Sequence, residues 1–380
     1  MADNLSTEAV VIGGGPAGMG TALSLAREGI EVWLLEKKEQ VGEERRGETI
    51  RYDEEMDHLL GGGFFEKHAI NKIYQRTYYS HTGLNQVSRT INNPNHIISW
   101  PQFLQDMKVI IQNEGVKVKT SSQVTGFLNE QNRISGVKVS NKKEGKTGAK
   151  EIKANGVFSC GGHEDPAVKI MNMDRSHIDL PVFKQLVSGY AGPMDRLEYF
   201  FHVEDGALAI ATIFPRVNSE AEIILMGFPA GSGKQELTME EFCRQHPLFA
   251  ERLSGTDSFY SLKTIIPMGG MLSPCSPQPG LMITGDAMGH VQARGGSGIK
   301  TSFMIGYTAG KLSARAIKTG RWSRWTSQKI NKKLERSPAL SSLKKHNFLF
   351  NKLRYVFFNT MVKTPQDMDN YWKVLQNGLR

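Results

Sequence analysis

The run Ala9-Val10-Val11-Ile12 leads straight into Gly13-Gly14-Gly15-Pro16-Ala17-Gly18, and no other stretch restricts the fold of this chain as tightly. A helical pattern follows, with Met19, Ala22, Leu23 and Ala26 on one face. Gly29 stops it, and a second apolar run, Val32-Trp33-Leu34-Leu35, ends at Glu36. Strand, glycine turn, helix, strand and terminal acid together make a dinucleotide-binding βαβ unit. Gly13 permits the tight turn, Gly15 lets backbone approach a pyrophosphate, and Gly18 lets helix and strand pack closely. The helix start at Pro16 and Ala17 offers amide donors and partial positive charge to phosphates. Glu36 is placed to accept hydrogen bonds from an adenosine ribose. This unit alone is compatible with NAD and with FAD.

The far end of the chain separates the two cofactors. Leu281-Met282-Ile283-Thr284 runs into Gly285-Asp286-Ala287, then Gly295-Gly296-Ser297-Gly298-Ile299, then a helical pattern through Phe303, Ile305, Ala309 and Leu312. This arrangement resembles the second FAD motif of glutathione-reductase-type flavoproteins. In that family the aspartate holds a ribityl hydroxyl, and the following helix aims its first amides at the flavin pyrimidine edge.

Over residues 6–320 the chain resembles the geranylgeranyl reductase family of FAD-dependent oxidoreductases. These are relatives of para-hydroxybenzoate hydroxylase-type monooxygenases and flavin halogenases. The resemblance is carried by Gly13 to Gly18, Glu36, Arg45-Arg46-Gly47-Glu48-Thr49, Ile266-Pro267-Met268-Gly269 and the segment from Gly285 to Ile299. It implies an α/β chain, α+β overall, with a glutathione-reductase-type Rossmann FAD-binding domain, an inserted, mostly antiparallel β-sheet substrate domain, and C-terminal helices. It also implies that Lys37, Arg46, Gly47 and Val124 join the two glycine motifs around FAD. The expected segments are 1–175 and 271–320 for FAD, 176–270 for substrate, and 321–380 for a basic helical region.

The chain departs from the family at several positions. Arg46 stands where archaeal reductases often carry a cysteine. Of a Pro-x-x-Tyr-x-Trp-x-Phe-Pro strand only Phe214-Pro215 remains, with Ile210 and Thr212 at the aromatic positions. The monooxygenase Asp-Gly motif reads Cys160-Gly161-Gly162, the halogenase Trp-x-Trp-x-Ile-Pro motif is missing, and Ala293 replaces a proline before the last glycine turn.

The remaining pattern is coarser. Residues 50–120 mix helical patterns (103–113) with polar connections, 116–140 alternate like strands, and 142–150 form a charged hairpin tip. Residues 152–159 read as a strand returning to the FAD sheet. Residues 183–266 are β-rich, with a helix over 239–253. Gly231-Ser232-Gly233-Lys234-Gln235 lacks the flanking residues of a phosphate-binding P-loop. No second glycine motif has a strand and helix around it, so electrons come from transient NAD(P)H contact or from a ferredoxin-type protein. The histidines lack ligand spacing, and no metal site is expected. His290, between the two glycine segments of the second motif, is the one catalytic candidate, as a proton donor beside the flavin.

Charge is concentrated rather than general. Residues 311–354 hold thirteen Lys or Arg against Glu335, which leaves the rest of this +9 chain at −3. Aromatics interleave there with Lys344, Lys345, Lys352 and Arg354, which suits a helix packed on the main body with its lysines solvated, or contact with an anionic membrane surface or an acidic donor protein, better than nucleic acid. Three unclustered cysteines and a polar N-terminus suit a cytoplasmic protein, peripheral on the inner face of a membrane. The resemblance implies reduction of carbon–carbon double bonds in a prenyl lipid, with a hydride from flavin N5 and a proton from a nearby acid or water. The competing readings are a monooxygenase and a non-catalytic prenyl-binding protein on the same fold.

Overall fold

Continuous apolar runs bounded by glycine, such as residues 9–12 and 32–35, suit parallel strands covered on both faces. The computed structural model describes residues 5–43, 47–141, 150–175, 179–204, 207–228, 238–268, 270–293, 295–356 and 360–378. It divides into two units, one of residues 1–44, 101–179 and 267–348, the other of 45–100, 180–266 and 349–380.

In the first unit, β1 (Leu5–Ile12), β2 (Val32–Leu35), β6 (Lys117–Lys119), β9 (Lys150–Ser159) and β15 (Leu281–Ile283) run parallel. β7 (Ser122–Glu130) and β8 (Arg133–Asn141) add an antiparallel pair, giving the order β6-β2-β1-β9-β8-β7 with β15 also on β9. Helix α1 (Pro16–Arg27) is buried from Ala17 to Leu25. It lies against α8 (Ile299–Lys318) with no side chain between the backbones at three places. A Cβ on Gly20 would meet Phe303 O at 2.3 Å, one on Gly306 would meet Ala17 O at 2.2 Å, and one on Gly310 would meet Thr21 O at 2.9 Å. Helices α4 (Trp100–Asn113), α5 (Pro166–Ile170) and α9 (Arg324–Glu335) complete this unit, with most of α10 (Pro338–Val356).

The second unit is built on an eight-stranded sheet of order β14-β10-β13-β12-β11-β4-β5-β3. Its strands are β3 (Gly47–Arg51), β4 (Ala69–Tyr79), β5 (Gln86–Ser99), β10 (Leu180–Ser188), β11 (Arg196–Glu204), β12 (Ala207–Pro215), β13 (Ala221–Phe228) and β14 (Asp257–Ile266). Every pairing is antiparallel except β11 with β4. Short helices α2 (Glu54–Leu59) and α3 (Phe64–His68) join β3 to β4. One face of the sheet buries Phe200, Ile213 and Ile223 under α6 (Met239–Gln245) and α7 (Pro247–Leu253) through Phe242 and Phe249. The other packs Leu208, Ile210 and Phe201 against Met368 and Trp372 of α11 (Pro365–Gly378).

Several expectations require correction. Residues 50–120, read as helical patterns with polar connections, include β4, β5 and the end of β3, all strands of the second sheet. β4 needs β11 as its partner, a pairing that no local pattern reveals. The helix expected over 239–253 is two helices, because His246 leaves helical geometry before Pro247 and caps α7 by accepting from Phe249 N. Residues 142–149 and 231–235 lie outside the described residues.

Candidate cofactor site

The three glycine segments meet at the carboxyl ends of neighbouring parallel strands β1, β9 and β15, where open α/β sheets bind ligands. Gly13 N donates to Leu35 O at 2.8 Å, Cys160 N to Ile12 O at 2.9 Å, and Thr284 N to Ser159 O at 3.1 Å. Gly13 has φ +96°, and a Cβ there would lie 2.5 Å from Cys160 O. A Cβ on Gly18 would lie 1.9 Å from Gly13 O. Gly15 is different: its Cβ would meet nothing within 4 Å. The first and last glycines are therefore required by the protein's own packing, whereas Gly15 faces open space.

Both cofactor helices begin on a glycine and leave their first-turn amides without a side-chain cap, Gly15 for α1 and Gly298 for α8. Elsewhere α2, α5, α6, α7 and α9 each cap themselves with Asp53, Asp165, Thr238, His246 or Ser323. Uncapped amides at the N-termini of 12- and 20-residue helices are standing hydrogen-bond donors for an anion or an electron-rich edge. The residues present therefore fit a dinucleotide.

Glu36 is held in place before any ligand arrives. Its Oε2 accepts from Gly14 N at 2.7 Å and its Oε1 from Lys38 N at 2.9 Å. A carboxylate has about four acceptor sites, so ribose hydroxyls can still be bound. Its backbone O accepts from Ser122 N at 2.8 Å, which places Val124 on β7 two residues beyond the strand end that carries the acid. Lys37 forms an exposed ion pair with Glu164. Arg46 lies outside the described residues, and Gly47 opens β3 in the second unit.

Asp286 sits in the 3-10 turn Gly285–Met288, half-buried, with Ser302 Oγ at 3.5 Å and Gly298 packed against its Oδ1. Gln292 O gathers Gly295 N and Gly296 N at 3.3 and 3.0 Å, which folds the loop back toward α8 before Ile299 opens the helix. Arg294 lies outside the described residues. Two supports for this turn were not read from the sequence. Arg175, buried, donates from Nη1 to Ala287 O at 3.0 Å. Asn347 of α10 accepts from Ala293 N at 2.9 Å and donates to Val291 O at 2.7 Å.

His290 does not have the geometry of a proton donor to a substrate. It is 1% exposed, and its Nδ1 accepts from Gly285 N at 3.2 Å while Nε2 faces Cys275 Sγ at 3.8 Å. Burial, with Lys344 adding to it, pushes the imidazole down to about 3, so it is neutral at pH 7. Its work is to hold the backbone that presents Asp286.

A buried carboxylate, Asp165, lies five residues on from Cys160. Asp165 accepts from Ser159 Oγ at 2.7 Å, Gly161 N at 2.6 Å and Ala167 N at 2.8 Å. Burial pushes its pKa up, against the pull of those three donors. Cys160 occupies the motif position as a buried thiol pushed up to about 12, 3.3 Å from Thr284 Oγ1. It is packing, not a nucleophile.

Comparison with known proteins agrees with this geometry. Residues 6–324 match the family described as FAD binding domain. Digeranylgeranylglycerophospholipid reductase 1 of Methanosphaera stadtmanae is 25% identical over 329 residues, 84% of this chain and 78% of its own length. The digeranylgeranylglycerophospholipid reductase of Thermoplasma acidophilum is 20% identical over 344 residues, 86% of this chain and 82% of its own. Among solved structures, a geranylgeranyl bacteriochlorophyll reductase-like protein from Thermoplasma acidophilum shares the fold with TM-score 0.82 at 15% identity, covering 97% of this chain and 91% of its own. The p-nitrophenol 4-monooxygenase of Pseudomonas putida does so with TM-score 0.65 at 14% identity, covering 98% of each chain. Two uncapped glycine helix starts, an anchored ribose acid and a second-motif aspartate on one parallel sheet have one common explanation: the chain belongs to the FAD binding domain family and is an FAD-dependent oxidoreductase.

Proposed function

We propose that this chain reduces carbon–carbon double bonds in the isoprenoid chains of a prenyl lipid. The observation that carries the reading is the match, over most of both chains, to relatives named digeranylgeranylglycerophospholipid reductases. Bound FAD, once reduced, supplies the hydride that an alkene accepts. The chain's own residues hold that cofactor: the turn at Gly15 and α1 at its pyrophosphate, Glu36 at its ribose, Asp286 at its ribityl chain and α8 at its pyrimidine edge.

An isolated alkene is a poor hydride acceptor, so the reaction needs a water-poor, apolar surface for the chain. The proton comes from water or from a group other than His290, which is sealed against Gly285 and Cys275. Electrons arrive from NAD(P)H in transient contact or from a ferredoxin-type protein. The enzyme works in the cytoplasm at the inner face of a membrane. Among the described residues no helix is long and apolar enough to cross one.

The test is anaerobic. Photoreduced enzyme should be reoxidised by a geranylgeranyl lipid, with saturated product detected by mass spectrometry. Indifference to polyprenyl alkenes, with rapid oxygen consumption and an oxygenated product, would hand the reaction to the monooxygenase class.

A further inference from the structure

Helix α10 contains no acidic residue and has two opposed faces. Leu340, Leu343 and Asn347 are buried on one side, and Asn347 holds the loop after Asp286. On the opposite side Lys345, Phe348, Leu349, Lys352 and Leu353 recur at helical spacing, all exposed. Phe348 is 72% exposed, Leu349 57% and Leu353 57%. Such a face is the reverse of what a solvated helix presents. Lys344 stands apart from it, because its ammonium pairs with Glu335 at 3.0 Å.

The charge pattern selects the occupant. A second copy seated on this face would bring Lys345 and Lys352 toward their own counterparts, with no acid on the helix to receive them. An anionic bilayer offers both things the face lacks, an apolar layer for the phenyl and leucyl groups and phosphates for the ammonium groups. Nearby in sequence, α9 exposes Trp325 with the Lys329 ammonium 4.9 Å from its ring centroid, the side-chain chemistry of a membrane interface. Arg354 has no described side chain, and Phe357 and Phe358 lie outside the described residues, so they carry none of this.

We propose that α10 is an interfacial helix that docks the protein on an anionic lipid surface, with Phe348, Leu349 and Leu353 in the acyl boundary and Lys345 and Lys352 among the headgroups. The proposal deepens the prenyl-lipid reading but rests on it only for the identity of the lipid to be reduced; the docking itself follows from the helix.

Flotation of the full-length, FAD-loaded protein tests it. Vesicles of phosphatidylglycerol with phosphatidylcholine are compared with phosphatidylcholine alone, at low and high salt. The wild type should float with the anionic vesicles, and part of that binding should survive high salt. Lys345→Glu/Lys352→Glu should cut partitioning by at least about tenfold, and Phe348→Ser/Leu349→Ser/Leu353→Ser should do the same and abolish the salt-resistant part. All five positions are exposed, so flavin content and melting temperature should stay at wild-type values. Equal flotation of wild type and variants would overturn the proposal. So would a wild-type dimer in sedimentation that Phe348→Ser dissociates, because the face would then belong to a second copy. Turnover of a micelle-dispersed prenyl lipid keeps the two readings separate. Variants that float poorly but turn over normally in micelles support docking. A wild type that floats but never turns over sinks only the reductase reading.

Discussion

Replacing His290 distinguishes a proton donor from a buried strut. The imidazole accepts from Gly285 N at 3.2 Å, and burial holds its pKa at about 3 against 6.5 for the free side chain. At pH 5 the unfolded chain carries a proton there and the folded protein does not. Stability from this group is therefore complete above pH 6.5 and falls as pH drops toward 3. One pKa unit corresponds to about 1.4 kcal/mol, so the group costs the fold about 2 kcal/mol between pH 6.5 and 5. His290→Asn keeps an acceptor, with Oδ1 standing for Nδ1, and removes the titration. His290→Leu strands the buried Gly285 N–H, a loss of about 1–3 kcal/mol at every pH. Urea unfolding at pH 7.5 and pH 5 should show the Asn variant losing about 2 kcal/mol less than wild type on acidification. The other buried histidines are common to both proteins and cancel in that difference. The pH profile of kcat should be unchanged in the Asn variant. A kcat lowered about a hundredfold in His290→Asn, with an unaltered acid slope of stability, would refute the argument and restore the imidazole as the acid.

Gly15→Val should give a protein that folds yet purifies colourless, since its side chain enters space where no protein atom lies within 4 Å; a yellow Gly15→Val protein would show that the pyrophosphate binds elsewhere. Asp286→Ala should weaken FAD binding by one to two orders of magnitude, the equivalent of a charge-assisted hydrogen bond of roughly 1.5–3 kcal/mol, measured by flavin fluorescence titration. Arg252→Met should destabilise the second unit by about 3–5 kcal/mol without touching flavin affinity. It strands the fully buried Glu198, whose carboxylate Arg252 Nε approaches at 3.1 Å and which accepts from Tyr79 and Tyr190. A melting temperature equal to wild type would show that the two tyrosines alone suffice.

What could be read from the chain in advance was whatever is encoded locally. The turn at Gly13 to Gly18, the strand ending at Glu36 and the Gly285-Asp286 turn each combine a strand, a bend and a helix start within a few residues, so periodicity and glycine placement reveal them. The strands β4 and β5 do not: residues such as Asn71, Lys72, Gln75 and Arg89 are polar, and the sheet that orders them is completed by β11 more than a hundred residues later. Asp165 was missed for a related reason. Its carboxylate reaches Gly161 N through the turn preceding α5, a contact that no spacing pattern in the sequence announces. His290 was misjudged because adjacency to the flavin loop does not tell which way a ring nitrogen points. The ion pair of Lys37 was equally illegible, because its partner, Glu164, comes from a distant 3-10 turn.

The side-chain-free contact between α1 and α8 also bears on how the enzyme is made. The two helices touch backbone to backbone at Gly20, Gly306 and Gly310, although about 270 residues separate them in sequence. A ribosome delivers α1 among the first residues and α8 only after most of the rest, including all eight strands of the second sheet. Until then α1 lacks the surface against which it is buried, and the nascent chain has one half of a cofactor clamp. FAD capture is thus a late checkpoint in biosynthesis: a chain truncated before residue 299 should remain flavin-free however well its first βαβ unit forms.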